Sequence, residues 1–262
     1  MKLVNTIAGL MAIASFSFIP VDTAQAAGGS RNHVMVQNRA GGVSAGSAVV
    51  TRGPSAAHGR AGGLVTDGQG GVAAGHGSYV RTPGAIQGSA AGMARDGHGN
   101  AAAVSVGGVA GMGGGRAHFS AAGKDTAGNA AGVSVGGGTT PWGEFGHAAG
   151  FTRDANGNVQ GGSVAGYQGL NGRFGLRTGN TTVSDGAVSH DSALEMSGVR
   201  GSASSSAWFY RDEQGNTTGT RETTATSQSG ASYEGTTTYT QGYGATHTST
   251  CYNAYGEVVP CR

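Results

Sequence analysis

Apolar and polar residues alternate along most of this chain in short runs, and no segment after the first 26 residues shows a capped helical stripe. Stretches such as 101–106 and 130–135 carry Val, Ser and Ala in partial alternation and continue for roughly ten residues to a glycine-centred turn. This pattern predicts strand, tight turn, strand, tight turn. About fourteen such strands fit between residue 34 and the C-terminus.

The turns recur at a fixed interval. The marker Asp-x-x-Gly-Asn occurs at Asp96–Gly99, Asp125–Gly128, Asp154–Gly157 and Asp212–Gly215, each followed by Asn, with a variant at Asp67. Successive Asp residues are 29, 29, 29 and 58 positions apart, and 58 is twice 29. The skipped copy falls near Val183, where Asp185-Gly186 reads as a diverged turn. Gly114, Gly143, Gly172, Gly201 and Gly230, and separately Ser105, Ser134, Ser163 and Ser192, keep the same period. A basic residue precedes the Asp at Arg95, Lys124, Arg153 and Arg211.

The marker has a physical reading. An Asp carboxylate can accept the backbone N–H two residues on, which forms an Asx-turn. The middle residues suit a type I turn, and the Gly supplies the left-handed conformation of a G1 bulge. The expected fold is therefore all-β, with tandem hairpin repeats in a long antiparallel meander, a solenoid or a stacked sheet. A closed barrel is also compatible with the strand lengths, although an outer-membrane barrel needs an apolar outer band and aromatic girdles. Aromatics make up only 6% of this chain.

Composition changes what kind of β-protein this can be. Glycine accounts for 53 of 262 residues, where average usage gives roughly 18. Leu, Ile, Val and Phe together supply about 15%. Too few large side chains exist to offset backbone ordering through a thick core. Main-chain bonding and close packing of small residues must carry the fold. The formal charge of +2, with Arg and Lys scattered singly, argues against a nucleic-acid partner.

The first 26 residues read as a secretory signal peptide: Lys2, an apolar run over 7–19, and Ala24-Gln25-Ala26 before the cleavage point. The expected organisation is 1–26 leader, 27–216 Gly/Ala/Ser-rich hairpin repeats, and 217–262 a Thr-rich β segment. Cys251 and Cys261 close this last segment; an even pair in an exported chain suggests a disulfide hairpin turning at Gly256. An intermolecular bridge is the alternative.

Other chemistry is thin. Gly42-Val-Ser44-Ala-Gly46 and Gly132-Val-Ser134-Val-Gly136 match a nucleophile-elbow pattern but lack a strand-to-helix context. His118 and His147 lie one period apart and could share a metal across adjacent repeats; exposed polar positions in a repeat array account for them more simply. No catalytic residue, metal ligand or cofactor is expected. In the Thr-rich segment, Thr236, Thr238, Thr246 and Thr248 fall on alternate positions and would present a hydroxyl ladder. Such a ladder suits a soluble cap or a surface for polysaccharide or ice.

Signal peptide, Gly/Asn turns and short repeats together resemble secreted bacterial surface-fibre proteins of the curli and Fap classes. The repeat length differs from the curli pattern, and regular Gln and Asn ladders are absent. The resemblance implies a secreted, self-associating structural or adhesive role at the cell surface.

Overall fold

The computed structural model describes residues 29–37 and 41–261, and the expected leader at 1–26 lies outside them. Within them the regular structure is β-strand apart from one 3₁₀ turn, Leu170–Gly172. The chain divides into two compact units, one ending at Gly138 and one beginning at Thr139.

The N-terminal unit contains β1 (Gly29–Gln37), β2 (Val43–Arg52), β3 (Ala57–Thr66), β4 (Val72–Thr82), β5 (Ala85–Arg95), β6 (Ala101–Gly111), β7 (Gly114–Lys124) and most of β8 (Ala130–Thr140). The C-terminal unit contains β9 (Gly143–Arg153), β10 (Val159–Gly169), β11 (Phe174–Ser184), β12 (Ala187–Gly198), β13 (Gly201–Arg211), β14 (Thr217–Ser227), β15 (Ser232–Thr240), β16 (Gly244–Tyr252) and the short β17 (Val258–Val259). Within each unit, strands pair antiparallel with their neighbours in sequence, for example Thr82 with Ala85 and Arg95 with Ala101. The order is a meander, and neither unit closes into a barrel. The described residues form seventeen strands against the expected fourteen, the series beginning with β1 at Gly29 and ending in the two-residue β17.

The 29-residue period has a direct structural origin. An 11-residue strand such as β5, the five residues 96–100, the 11-residue β6 and the two residues 112–113 add to 29 (11 + 5 + 11 + 2). At the skipped copy the five-residue loop is replaced by Asp185-Gly186, a two-residue turn with positive φ at both positions (51° and 88°), as type I′ hairpins require. The three lost residues are made up by a four-residue loop at 170–173 and a 12-residue β12, so the phase is kept.

The five-residue turns are built as the sequence suggests, with one addition. Asp154 Oδ1 accepts the backbone N–H groups of Asn156 and Asn158, each at 2.9 Å. The Gly157 N–H donates to the Asp154 carbonyl at 3.1 Å, and φ is 93° at Gly157. The addition is the terminal Asn: its Nδ2 donates to Asp154 Oδ2 at 2.8 Å. Asp125 and Asp212 receive the same amide bond from Asn129 and Asn216.

Burial sets this protein apart from a globule. Seven described residues are buried, Gly42, Gly59, Gly71, Gly107, Gly175, Gly219 and Gly235, and every one is glycine. No described side chain is fully buried. Several of these glycines lie under a ring: a Cβ added at Gly59 would meet Tyr79, one at Gly175 would meet Tyr167, one at Gly235 would meet Tyr233, and one at Gly107 would meet the His118 imidazole. Gly59 with Tyr79 and Gly175 with Tyr167 are direct cross-strand partners. Each ring covers backbone that would otherwise be open to water, an aromatic rescue of glycine in a strand. These pairs replace a core.

Candidate functional surface: the two faces of the C-terminal unit

Side chains alternate between faces along a strand, and direct partners on neighbouring strands share a face. The registers therefore place every strand residue of the C-terminal unit. Glu144 pairs with Gln168, Gln168 with Phe174, Phe174 with Ser197, Ser197 with Ser202, Ser202 with Thr226 and Thr226 with Ser232. Alternate positions from this row carry Asp191, Glu195, Glu222 and Glu234 on the same face. All five strand carboxylates of β9–β16 lie there, and no Arg or Lys does.

The opposite face holds Arg153, Arg177, Arg211 and Arg221, again with no exception among these strands. His147, His190 and His247 share it. The cationic face is locally ordered: Arg221 Nε donates to Ser205 Oγ at 3.0 Å, and His190 Nδ1 lies 2.8 Å from Thr181 Oγ1. His247 is held between Thr237 Oγ1 at 2.9 Å and the Tyr233 hydroxyl at 3.3 Å. A cross-strand row of Met196, Ala203, Ala225, Tyr233, Cys251 and Val259 makes an apolar strip on this face.

The four threonines expected to form a ladder do share one face, the carboxylate face. Thr236 pairs with Thr248 and Thr238 with Thr246, which makes a square of hydroxyls on β15 and β16. The lattice extends further than these four. Thr220 is the direct partner of Thr238 and Thr218 of Thr240, while Glu222 faces Thr236. Ser204 Oγ and Thr224 Oγ1 lie 2.7 Å apart on the same side. Thr246 and Thr248 are exposed; Thr236 and Thr238 are half-buried. Strand spacing sets the grid at about 4.8 Å across and about 6.7 Å along. Hydroxyls and carboxylates on such a grid can bond to a polyhydroxylated polymer or to guanidinium groups.

The strands of the N-terminal unit carry charge of one sign, on both faces. Its strands contain Arg31, Arg52, Arg60, Arg81, Arg95, Arg116 and Lys124 and no carboxylate. Its acids, Asp67, Asp96 and Asp125, all sit in turns. Along β5 and β6 one face reads Ile86, Gly88, Ala90, Gly92, Ala94 against Ala102, Val104, Val106, Gly108 and Ala110, and contains no polar side chain.

The turn residues have a structural task. Asp96, Asp125, Asp154 and Asp212 are held below the ordinary carboxylate value of 3.8, chiefly by the Asn amide bond; desolvation opposes it in second place, and the backbone N–H groups each add a smaller lowering. A further copy, absent from the expected series, occurs at Asn253 with the roles exchanged. There the Asn Oδ1 accepts from Tyr255 and Glu257 N–H at 2.9 and 3.0 Å, and its Nδ2 donates to Glu257 Oε2 at 2.8 Å.

Cys251 and Cys261 are bonded to each other, with Cα atoms 5.3 Å apart, so the bridge is intramolecular. Ser134 lies in the middle of β8 and Ser44 near the start of β2, both within pleated strand. His118 and His147 lie in different units. No cluster of three or more metal-ligating side chains occurs among the described residues. No family model, no curated protein and no solved structure matches the chain.

Proposed function

We propose that the protein is a non-enzymatic extracellular structural or adhesive component, a subunit of a surface fibre or matrix that works by self-association. One observation carries the reading: among the described residues the buried ones are all glycine, so both faces of the strands remain open. Large apolar groups stand on these faces, including Trp208 at 45% and Tyr210 at 43% exposure. Soluble monomers leave few contiguous apolar patches uncovered. Covering them with a second sheet supplies the burial that a thick core would otherwise provide. The 1–26 leader pattern and the disulfide fit a secreted protein. Electron microscopy of the purified protein across a concentration series tests this. Extended or sheet-like assemblies are expected, and discrete monomers at every concentration would refute the reading.

A second reading rests on the threonine square. A monomeric adhesin would use Thr236, Thr238, Thr246 and Thr248 to hold a polysaccharide or ice lattice. Replacing all four by Val keeps the β-branched shape and removes the hydroxyls. Unchanged retention on polysaccharide and unchanged ice shaping would eliminate this second reading.

A further inference from the structure

We propose that the C-terminal unit stacks on the C-terminal unit of a second copy, with the carboxylate face of one against the arginine face of the next. The inference rests on the self-association reading above and names the surfaces that perform it.

The first observation is the complete separation of charge. Asp191, Glu195, Glu222 and Glu234 occupy one face, while Arg177, Arg211 and Arg221 occupy the other. Surface charge on an ordinary one-sided sheet is mixed on its wet face and absent from its packed face. Here neither face is packed and each carries a single sign. Held apart, the two faces leave same-sign charges as neighbours with no opposite charge on their own side. Brought together, each finds its complement.

The second observation is geometric. Both faces belong to the same strands, so their side chains lie on the same lattice, and a guanidinium grid from one copy is commensurate with a carboxylate grid from another. Trp208 and Tyr210 rise among the carboxylates, and Phe209 rises among the arginines, supplying apolar and cation–π contact between the charges. Eight strands of about 11 residues present roughly 1,300 Å² per face, so stacking covers roughly 2,600 Å² in total, above what a specific interface needs.

The third is symmetry. A two-fold pairing would set arginine on arginine or carboxylate on carboxylate. Stacking unlike faces is heterologous and leaves one free face of each sign at the ends, so growth continues. This is the polarity that an extended assembly requires.

A charge-swap experiment on the full chain tests the pairing. Glu222→Lys with Glu234→Lys reverses two of the five charges on the carboxylate face; Arg177→Glu with Arg221→Glu reverses two of the four on the arginine face. Each variant alone should need a roughly tenfold or higher concentration to reach the wild-type assembled fraction by sedimentation. Mixed in equal amounts, they should co-assemble toward the wild-type value. Circular dichroism of each variant reads folding separately. Wild-type assembly should also weaken as the Debye length falls from about 10 Å at 0.1 M salt to about 3 Å at 1 M, a readout that needs no variant. Unaltered assembly of the single variants, failure of two folded variants to rescue one another, or salt-independent wild-type assembly would overturn the face pairing while leaving self-association standing. A wild type that never assembles would remove both.

Discussion

The side-chain oxygen of Asn100 accepts the backbone N–H of Thr126 at 3.1 Å, joining one five-residue turn to the next across 26 positions of sequence. The same amide group donates from its nitrogen to Asp96 in its own turn. Asn158 does likewise, bonding Asp154 and receiving the Asp185 N–H at 3.1 Å. At these two turns the terminal Asn of the marker therefore fixes a hairpin and links it to its neighbour.

Asn100→Ala removes both bonds at once. With each hydrogen bond worth about 0.5–1.5 kcal/mol net, a loss of about 1–2 kcal/mol is expected, and Tm should fall by several degrees. Native-state hydrogen exchange gives the sharper readout: the Thr126 amide should exchange faster although the substitution lies in the preceding repeat. Unchanged exchange at Thr126 would show that the turns do not support one another.

Acid should loosen the turn edge. Asp96, Asp125, Asp154 and Asp212 have folded values lowered from 3.8. A depressed folded value means that the contribution is complete above the unfolded value and is lost as pH falls through the folded one. Thermal stability should be level with respect to these groups from about pH 6 to about pH 5 and decline below 3.8. Replacing the four Asp residues by Asn should lower stability at neutral pH and flatten that acid limb. An acid limb of unchanged steepness in the fourfold variant would assign it to other groups.

The disulfide should hold the last hairpin and little else. Cys251 and Cys261 close a loop with a separation of 10 residues, for which chain entropy gives about 2–3 kcal/mol. Cys251→Ser with Cys261→Ser should raise exchange at Tyr252 and Val259 while leaving β9–β12 unchanged. Loss of sheet signal throughout the protein would contradict a local staple.

Ring-over-glycine pairs should behave as the local core. Tyr167→Ala uncovers Gly175, and loss of an aromatic contact of this size is worth about 1–2 kcal/mol. Gly201→Ala should be worse. Its φ of 137° disfavours a side chain, and a Cβ there would collide with the backbone carbonyl of Thr226. Comparable Tm values for wild type and Gly201→Ala would show that the turn relaxes freely.

Much of the fold could be read from spacing. The interval between Asp67, Asp96, Asp125 and Asp154 specifies strand and loop lengths together, and glycine in the left-handed slot confirms the turn type. The faces could not be read in that way. Parity changes sides with loop length: odd-numbered Arg177 shares a face with even-numbered His190 because β11 and β12 are joined through a two-residue turn. A single added residue in that turn would have moved every β12 side chain to the other side. The threonine square was visible because β15 and β16 each alternate within themselves, whereas its continuation to Thr218 and Thr220 needs the 458-sum register of β14 against β15, in which residue numbers of partners such as Thr220 and Thr238 add to a constant. The turn at Gly256 is legible from the cysteine spacing, but its kinship with the Asp turns is not, because Asn253 and Glu257 exchange the roles that Asp and Asn hold elsewhere.

Diffraction from concentrated, aligned protein probes the open faces most directly. Strand spacing near 4.8 Å should be accompanied by a second, perpendicular reflection near 10 Å from sheet stacked on sheet. The strand reflection alone, with no inter-sheet reflection at any concentration, would mean that the faces stay uncovered and that self-association through them does not occur.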